Sequence, residues 1–223
     1  MPDPLEVIRT NIDRLLVEIL PSVTILAACK GRSTAEVQAA YQAGLRCFGH
    51  NYVQEAQAMT PQLDFSASWH MIGHLQRNKA GTAMELFDSI DTVDTPQLAQ
   101  ELEKRCANSE REMNVMIEVN SGREENKSGV MPEDAIALAE FIAHQPHLHL
   151  HGTMTMGPLM GDAENSRPYF VETRKVYERI AELKLVGVNL RYLSMGMSNS
   201  YHVAIQEGAN LVRLGTVIFG ERK

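Results

Sequence analysis

The sequence is poor in cysteine, and its three, Cys29, Cys47 and Cys106, are odd in number and show no CxxC or Cys/His zinc spacing. That excludes a disulfide framework and leaves no sequence signature of a structural metal. The cysteines read as reduced, which points to the cytoplasm. Basic charge is also in short supply: 21 Lys and Arg stand against 28 Asp and Glu, a formal net charge of −7. Duplex binding needs a basic face that neutralises phosphates, so this balance argues against a nucleic-acid partner. No apolar run is long enough to span a bilayer. The first twenty residues carry Asp3, Glu6, Arg9, Asp13, Arg14 and Glu18, which is incompatible with the apolar stretch of a signal peptide. What remains is an ordinary globular composition over 223 residues, enough chain to bury a core without staples.

The apolar pattern sets the expected fold. Leu5, Ile8, Ile12, Leu15, Leu16 and Ile19 recur at helical spacing, so the chain opens with an amphipathic helix that Pro21 ends. Residues 23–29 then form a short, nearly continuous apolar run closing on Lys30, as expected for a strand buried on both faces. Ser33 to Glu36 has the form of a capping box and starts a helix running to Gly44. The alternation repeats without a linker. Strands are expected at 45–48, 69–72, 89–93, 114–119, 148–156, 190–193 and 211–214, with helices between them from about Tyr52, over 78–87, 96–106, 132–143 and 167–185, and near 201–207. About eight strands at this spacing predict an α/β chain folded as one (β/α)₈ TIM barrel over residues 1–223, with an extra N-terminal helix. Residues that end strands and fill the following loops then face one mouth, where barrels place their chemistry.

Lys30 ends the first strand. An exposed lysine there is unremarkable, but a desolvated amine loses its proton readily and forms a Schiff base with an aldehyde. Ser194-Met-Gly-Met-Ser198 and Gly215-Thr216 follow the seventh and eighth strands, where barrels often bind phosphate. Small residues let backbone N–H groups approach an anion, and hydroxyls add donors; two tight glycine turns would have the same sequence. Arg213 reads as a salt-bridged strand residue or as a permanent cation facing the site. His70 and His74 are four apart, which shares a face on a helix but not on a strand with a turn, so a pocket lining is expected and not a zinc site. His144, His147, His149 and His151 read as solvent or loop residues.

Taken together, Lys30, Phe48-Gly49, Asn51 to Glu55, Trp69-His70, Ile72 to Gln76, Asn78-Lys79, Asn120, Glu125, Lys127 to Gly129, the Ser194–Ser198 turn, Arg213, Gly215-Thr216 and Phe219-Gly220 resemble the pyridoxal phosphate homeostasis family, single-domain barrels similar to the N-terminal domain of alanine racemase. The resemblance runs from Val23 to Arg222. It implies pyridoxal 5′-phosphate as cofactor, held as a Schiff base on Lys30, with Arg213 against the ring nitrogen. Ser194, Gly196, Ser198, Gly215 and Thr216 would approach the phosphate, while Asn51, His74 and Met154 would line the ring pocket. Three positions depart from the family pattern: His50 stands in place of an acid, Gly31-Arg32 replace a segment richer in Thr and Pro, and Ser200 replaces an acid.

The resemblance implies a cytoplasmic, monomeric protein that binds the cofactor, keeps vitamin B6 and amino-acid pools balanced and passes pyridoxal phosphate to apo-enzymes. No metal, nucleic acid or membrane is expected as a partner, and no catalytic residue is assigned. A racemase-like enzyme using the same lysine is the alternative. It would require a tyrosine from a second domain, for which a chain ending at Lys223 leaves no room. A third reading, an enzyme for a phosphorylated metabolite without cofactor, makes Lys30 an aldolase-type amine.

Overall fold

Each apolar run that precedes a helical stretch becomes a parallel strand, and the strands close on themselves. The computed structural model describes residues 3–158 and 161–221; Arg222, the last residue of the resemblance, lies outside them. Helix α1 (Pro4–Glu18) starts where the Asp3 side chain accepts the Leu5 N–H at 3.0 Å, with Pro4 in the first turn, where its missing N–H costs nothing. Its Ile8, Ile12 and Leu15 are buried. The barrel follows as β1 (Thr24–Ala28), α2 (Thr34–Gln42), β2 (Cys47–His50), α3 (Val53–Met59), β3 (Ser68–Met71), α4 (Ala80–Leu86), β4 (Ser89–Val93) and α5 (Pro96–Ser109). It continues through β5 (Met113–Glu118), α6 (Ala135–Ala143), β6 (Leu148–Met154), α7 (Arg167–Glu182), β7 (Val188–Ser194), α8 (Tyr201–Gln206), β8 (Leu211–Leu214) and α9 (Thr216–Phe219). Every neighbouring pair is parallel and β8 pairs with β1, which closes an eight-stranded barrel, and α1 lies outside it against α2 and α9. The expected TIM barrel with an extra N-terminal helix is the observed fold.

Element ends differ from expectation for local reasons. The second strand begins at Cys47, two residues later than its apolar run, because Leu45 closes the preceding helix with a backbone bond to Ala40. Residues 77–79 form a 3₁₀ turn ahead of α4, and residues 132–134 precede α6 as turns.

Alternate residues of a barrel strand face the helices or the interior. Phe48, Ile90, Ile117 and Val212 belong to the two large apolar layers. Inside, among the described residues, Leu26, Cys47, Ile72, Met116 and Leu211 form a small apolar cluster. The rest of the buried interior is polar. His70 Nδ1 lies 2.8 Å from Asp91, and Ser89 gives its one hydroxyl proton to Asp91 at 2.5 Å. His151 therefore donates to Ser89 from Nε2, at 3.0 Å. Burial opposes charge on both members of the pair, yet Asp91 holds the His70 pKa well above the usual imidazole value, and His70 holds Asp91 below the usual carboxylate value. His151, expected in solvent or a loop, is on β6 and buried, so that expectation is corrected: its strand alternation points it into the barrel.

Candidate functional site

The mouth of the barrel is built by the residues just beyond the strand ends. Lys30 sits two residues after β1, in a turn whose next residue, Gly31, adopts φ +67°, and is half-buried with Nζ 5.0 Å from the centre of the Tyr52 ring. The turn is held by Cys29 N–H to Gly49 O at 2.8 Å and by the Ser33/Glu36 capping box. Arg32 crosses to the other end of the sequence, donating from Nη2 to Gly220 O at 2.5 Å.

Six of the sequence-selected residues, Lys30, Asn51, Ser198, Arg213, Gly215 and Thr216, line one cavity of about 690 Å³. Ala28, Ile72, Met156 and Met197 supply much of its apolar wall. Ser198 Oγ accepts the N–H groups of Gly215 and Val217 at 3.1 and 3.2 Å, so its own proton stays free to donate. The glycine is needed close by: Gly196 adopts φ +89°, and a Cβ there would lie 2.6 Å from Ala204 Cβ.

Arg213 is 3% exposed. Its Nη1 donates to Ser194 O at 2.9 Å and Ser194 Oγ at 2.6 Å, and Nη2 to Thr155 O at 2.6 Å and Met156 Sδ at 3.4 Å. The guanidinium is thereby fixed in plane, and only Nε–H lacks an acceptor among the described residues. Burial brings its pKa down to about 10, while Asp91 and Glu118 oppose that shift, so it stays cationic at neutral pH.

The remaining selected residues lie elsewhere. Ser194 is fully buried behind Arg213 as its acceptor, and Met154 is fully buried at the end of β6. Met156, two residues on, forms the wall instead. His74 is largely exposed, with Nδ1 3.7 Å from Asp94, and lines a smaller adjoining cavity of about 280 Å³ together with Asn51, Ile72, Met156 and Glu118. Sequence reading missed Glu118. The signal for it was a carboxylate within the apolar run Val115-Met-Ile-Glu-Val119. Burial, and then Asp94, push the Glu118 pKa up to about 7 against the pull of Arg213.

An amine, a fixed cation and a hydroxyl donor beside a glycine-threonine turn, all on one cavity, make a set that fits an aldehyde-bearing ring with a phosphate arm. The model of the alanine racemase N-terminal domain matches residues 5–223. The pyridoxal phosphate homeostasis protein of Aquifex aeolicus is 39% identical over 200 residues, covering 89% of this chain and 87% of that protein. That of Helicobacter pylori is 35% identical over 225 residues, covering 96% and 98%. PipY of Synechococcus elongatus, solved with pyridoxal phosphate bound, superposes with a TM-score of 0.87 at 32% identity, covering 96% of this chain and all of that one. Alanine racemase of Clostridium difficile shares the fold, with a TM-score of 0.78 at 15% identity over 56% of its length. The chain belongs to the pyridoxal phosphate homeostasis protein family.

Proposed function

We propose that this chain binds pyridoxal 5′-phosphate, holds it as a Schiff base on Lys30 and releases it to apo-enzymes, so that it serves the balance of vitamin B6 and amino-acid pools. The observation that carries this reading is the convergence of Lys30, Arg213, Ser198, Gly215 and Thr216 on one cavity. Its smaller wall residue Asn51 belongs to the ring pocket in this reading, with His74 at the rim. Ser194 and Gly196 act from behind, through Arg213 and the Ser198 turn, and Met154 backs the pocket from the end of β6, where it is fully buried. When bound, the cofactor supplies an electron-withdrawing ring conjugated to its imine. The chain limits that chemistry: a permanent cation at the ring nitrogen disfavours its protonation, which weakens the electron sink. This favours a binding protein over the racemase-like alternative. The same reading makes the chain a single-domain, cytoplasmic monomer. No described helix is long and apolar enough to cross a membrane.

The test is a pair of assays on the loaded protein. Racemisation of L-alanine, L-serine and L-glutamate should stay near the background of free cofactor, while an apo-aminotransferase mixed with the protein should gain activity. Turnover of about 1 per second or faster would overturn the binding-protein reading. A second expectation concerns the phosphate arm. Ser198→Ala and Thr216→Val each remove a hydroxyl donor to a dianion, a loss of about 1.5–3 kcal/mol, or about tenfold to hundredfold in affinity. Equilibrium dialysis of each variant checks this, and unchanged affinity in both would put the phosphate elsewhere.

A further inference from the structure

The smaller cavity contains a feature that cofactor holding does not use. Glu118 closes β5 with 6% of its surface exposed, and its Oε2 is buried without a hydrogen-bond partner among the described residues. A buried acceptor left unpaired is costly, and such groups call for a partner. We propose that this cavity receives the ammonium group of a small primary amine, with the Glu118 carboxyl as its acceptor. The proposal rests on the reading of Lys30 as the cofactor's anchor.

The setting fits a cation. Besides Glu118, the charged groups around the cavity are Asp94, Arg213, His74 and Lys127. Lys127 is already paired with Glu124 at 2.6 Å, and the Arg213 Nη groups are engaged with Ser194, Thr155 and Met156. Asp94 already has His74 at 3.7 Å and the Gly129 N–H at 3.4 Å, whereas Glu118 Oε2 has no partner among the described residues, so Glu118 is the acid left to receive a further cation. The setting also fits a nucleophile. The cavity shares Asn51, Ile72 and Met156 with the larger one, and its other walls come from the ends of β3, β5 and β6. Ser198, Gly215 and Thr216, after β7 and β8, are absent from it. An amine seated there approaches from the side away from the phosphate-binding residues. Passing one proton to Glu118 breaks an N–H bond, forms an O–H bond and leaves the lone pair on nitrogen. With the cofactor held on Lys30, such an amine would form a bond to the imine carbon as the C=N π bond opens onto the Lys30 nitrogen; that nitrogen would take the proton held by Glu118, and breaking its C–N bond would free the Lys30 amine.

The first test uses the full chain freed of cofactor and labelled with carboxyl-¹³C glutamate, the Glu118 signal being assigned by its loss in Glu118→Gln. Ethylammonium chloride should lower the midpoint of the Glu118 titration by about one unit or more relative to sodium chloride at equal ionic strength. Superimposable titrations in the two salts would overturn the proposal. This arm needs no cofactor, so its failure removes the amine site and leaves the Lys30 assignment standing. The second test follows loss of the borohydride-reducible adduct on the Lys30 peptide when the loaded protein is quenched at intervals in ethylamine at pH 7. Glu118→Gln should slow it roughly 100-fold, and equal rates for the two proteins would overturn the proposal.

Discussion

Arg213→Met is expected to lower the unfolding free energy by about 3–5 kcal/mol, because it removes one partner from a buried charged network and leaves the others uncompensated. The guanidinium serves the carbonyls of Ser194 and Thr155 and the Ser194 hydroxyl, all deep in the barrel. Methionine fills comparable space but donates to none of them; the Ser194 carbonyl keeps the Thr155 N–H at 3.1 Å, but the Thr155 carbonyl loses its Arg213 donor, and a buried acceptor left unpaired costs about 1–3 kcal/mol. The ionised Asp91 and the partly ionised Glu118 lose their nearby cation at the same time. Lysine is a poor substitute, since one ammonium cannot reproduce the planar fork that spans β7 and the end of β6. Urea denaturation followed by the fluorescence of Trp69, the one tryptophan of the sequence, measures the change. A loss below about 1 kcal/mol would show that Arg213 is held by the site and does not hold it.

The second large effect is on pH dependence. His50, the last residue of β2, is fully buried and stacked on Trp69 at 5.6 Å between ring centres, with neither ring nitrogen bonded among the described residues. Burial lowers its pKa from 6.5 to about 4. The His151 pKa falls to about 4 as well, through burial first, against the pull of Asp91. A base whose folded pKa lies below its unfolded value binds more protons when unfolded. Its stabilisation is therefore complete above pH 6.5 and lost as pH falls through about 4. Glu118 acts in the opposite sense: its folded pKa of about 7 lies above its unfolded 4.5, so its contribution is complete below 4.5 and lost as pH rises through 7. His70, with its raised pKa, acts in the Glu118 sense, but its contribution is already complete below pH 6.5; between pH 6.5 and 4.5 the two lowered histidines outweigh Glu118, and the protein loses stability on acidification. His50→Phe isolates one histidine. Relative to the parent, the variant should gain roughly 3 kcal/mol between pH 7 and pH 4, from about 1.36 kcal/mol per pKa unit. Denaturation midpoints at several pH values check this; a difference between the two proteins that does not change with pH would contradict it.

The fold was legible because a buried parallel strand leaves a mark: Leu211-Val-Arg-Leu214 is a short apolar run and Ser89-Ile-Asp-Thr-Val93 a short segment rich in β-branched residues, and both are strands of the closed barrel. The same runs hid the interior. Asp91 and Arg213 stand singly as charges in their strands; pairing of neighbouring strands brings Asp91 to His70 and Arg213 to Ser194, and the curvature of the barrel brings Ser89 of β4 to His151 of β6. Sequence spacing carries no record of contacts between strands two apart. His151 was misread for that reason. At the mouth, the Lys30 and Gly215-Thr216 motifs were readable because they end strands, and strand ends converge. Strand alternation gives Met154 and Met156 the same face, so it cannot tell that Met156, beyond the end of β6, lines the cavity while Met154 is buried in the strand; for Glu118 one residue of register decides whether the side chain faces the cavity or the helices.

The central claim is that Lys30 is the amine that holds the cofactor, and the visible spectrum of the freshly purified protein, taken before and after borohydride, tests it most directly. The account predicts a yellow protein whose band disappears on reduction, with peptide mapping placing the added mass on the peptide that contains Lys30, and no such adduct in Lys30→Ala. An adduct retained by Lys30→Ala, or a label found on Lys79 or Lys127, would contradict it.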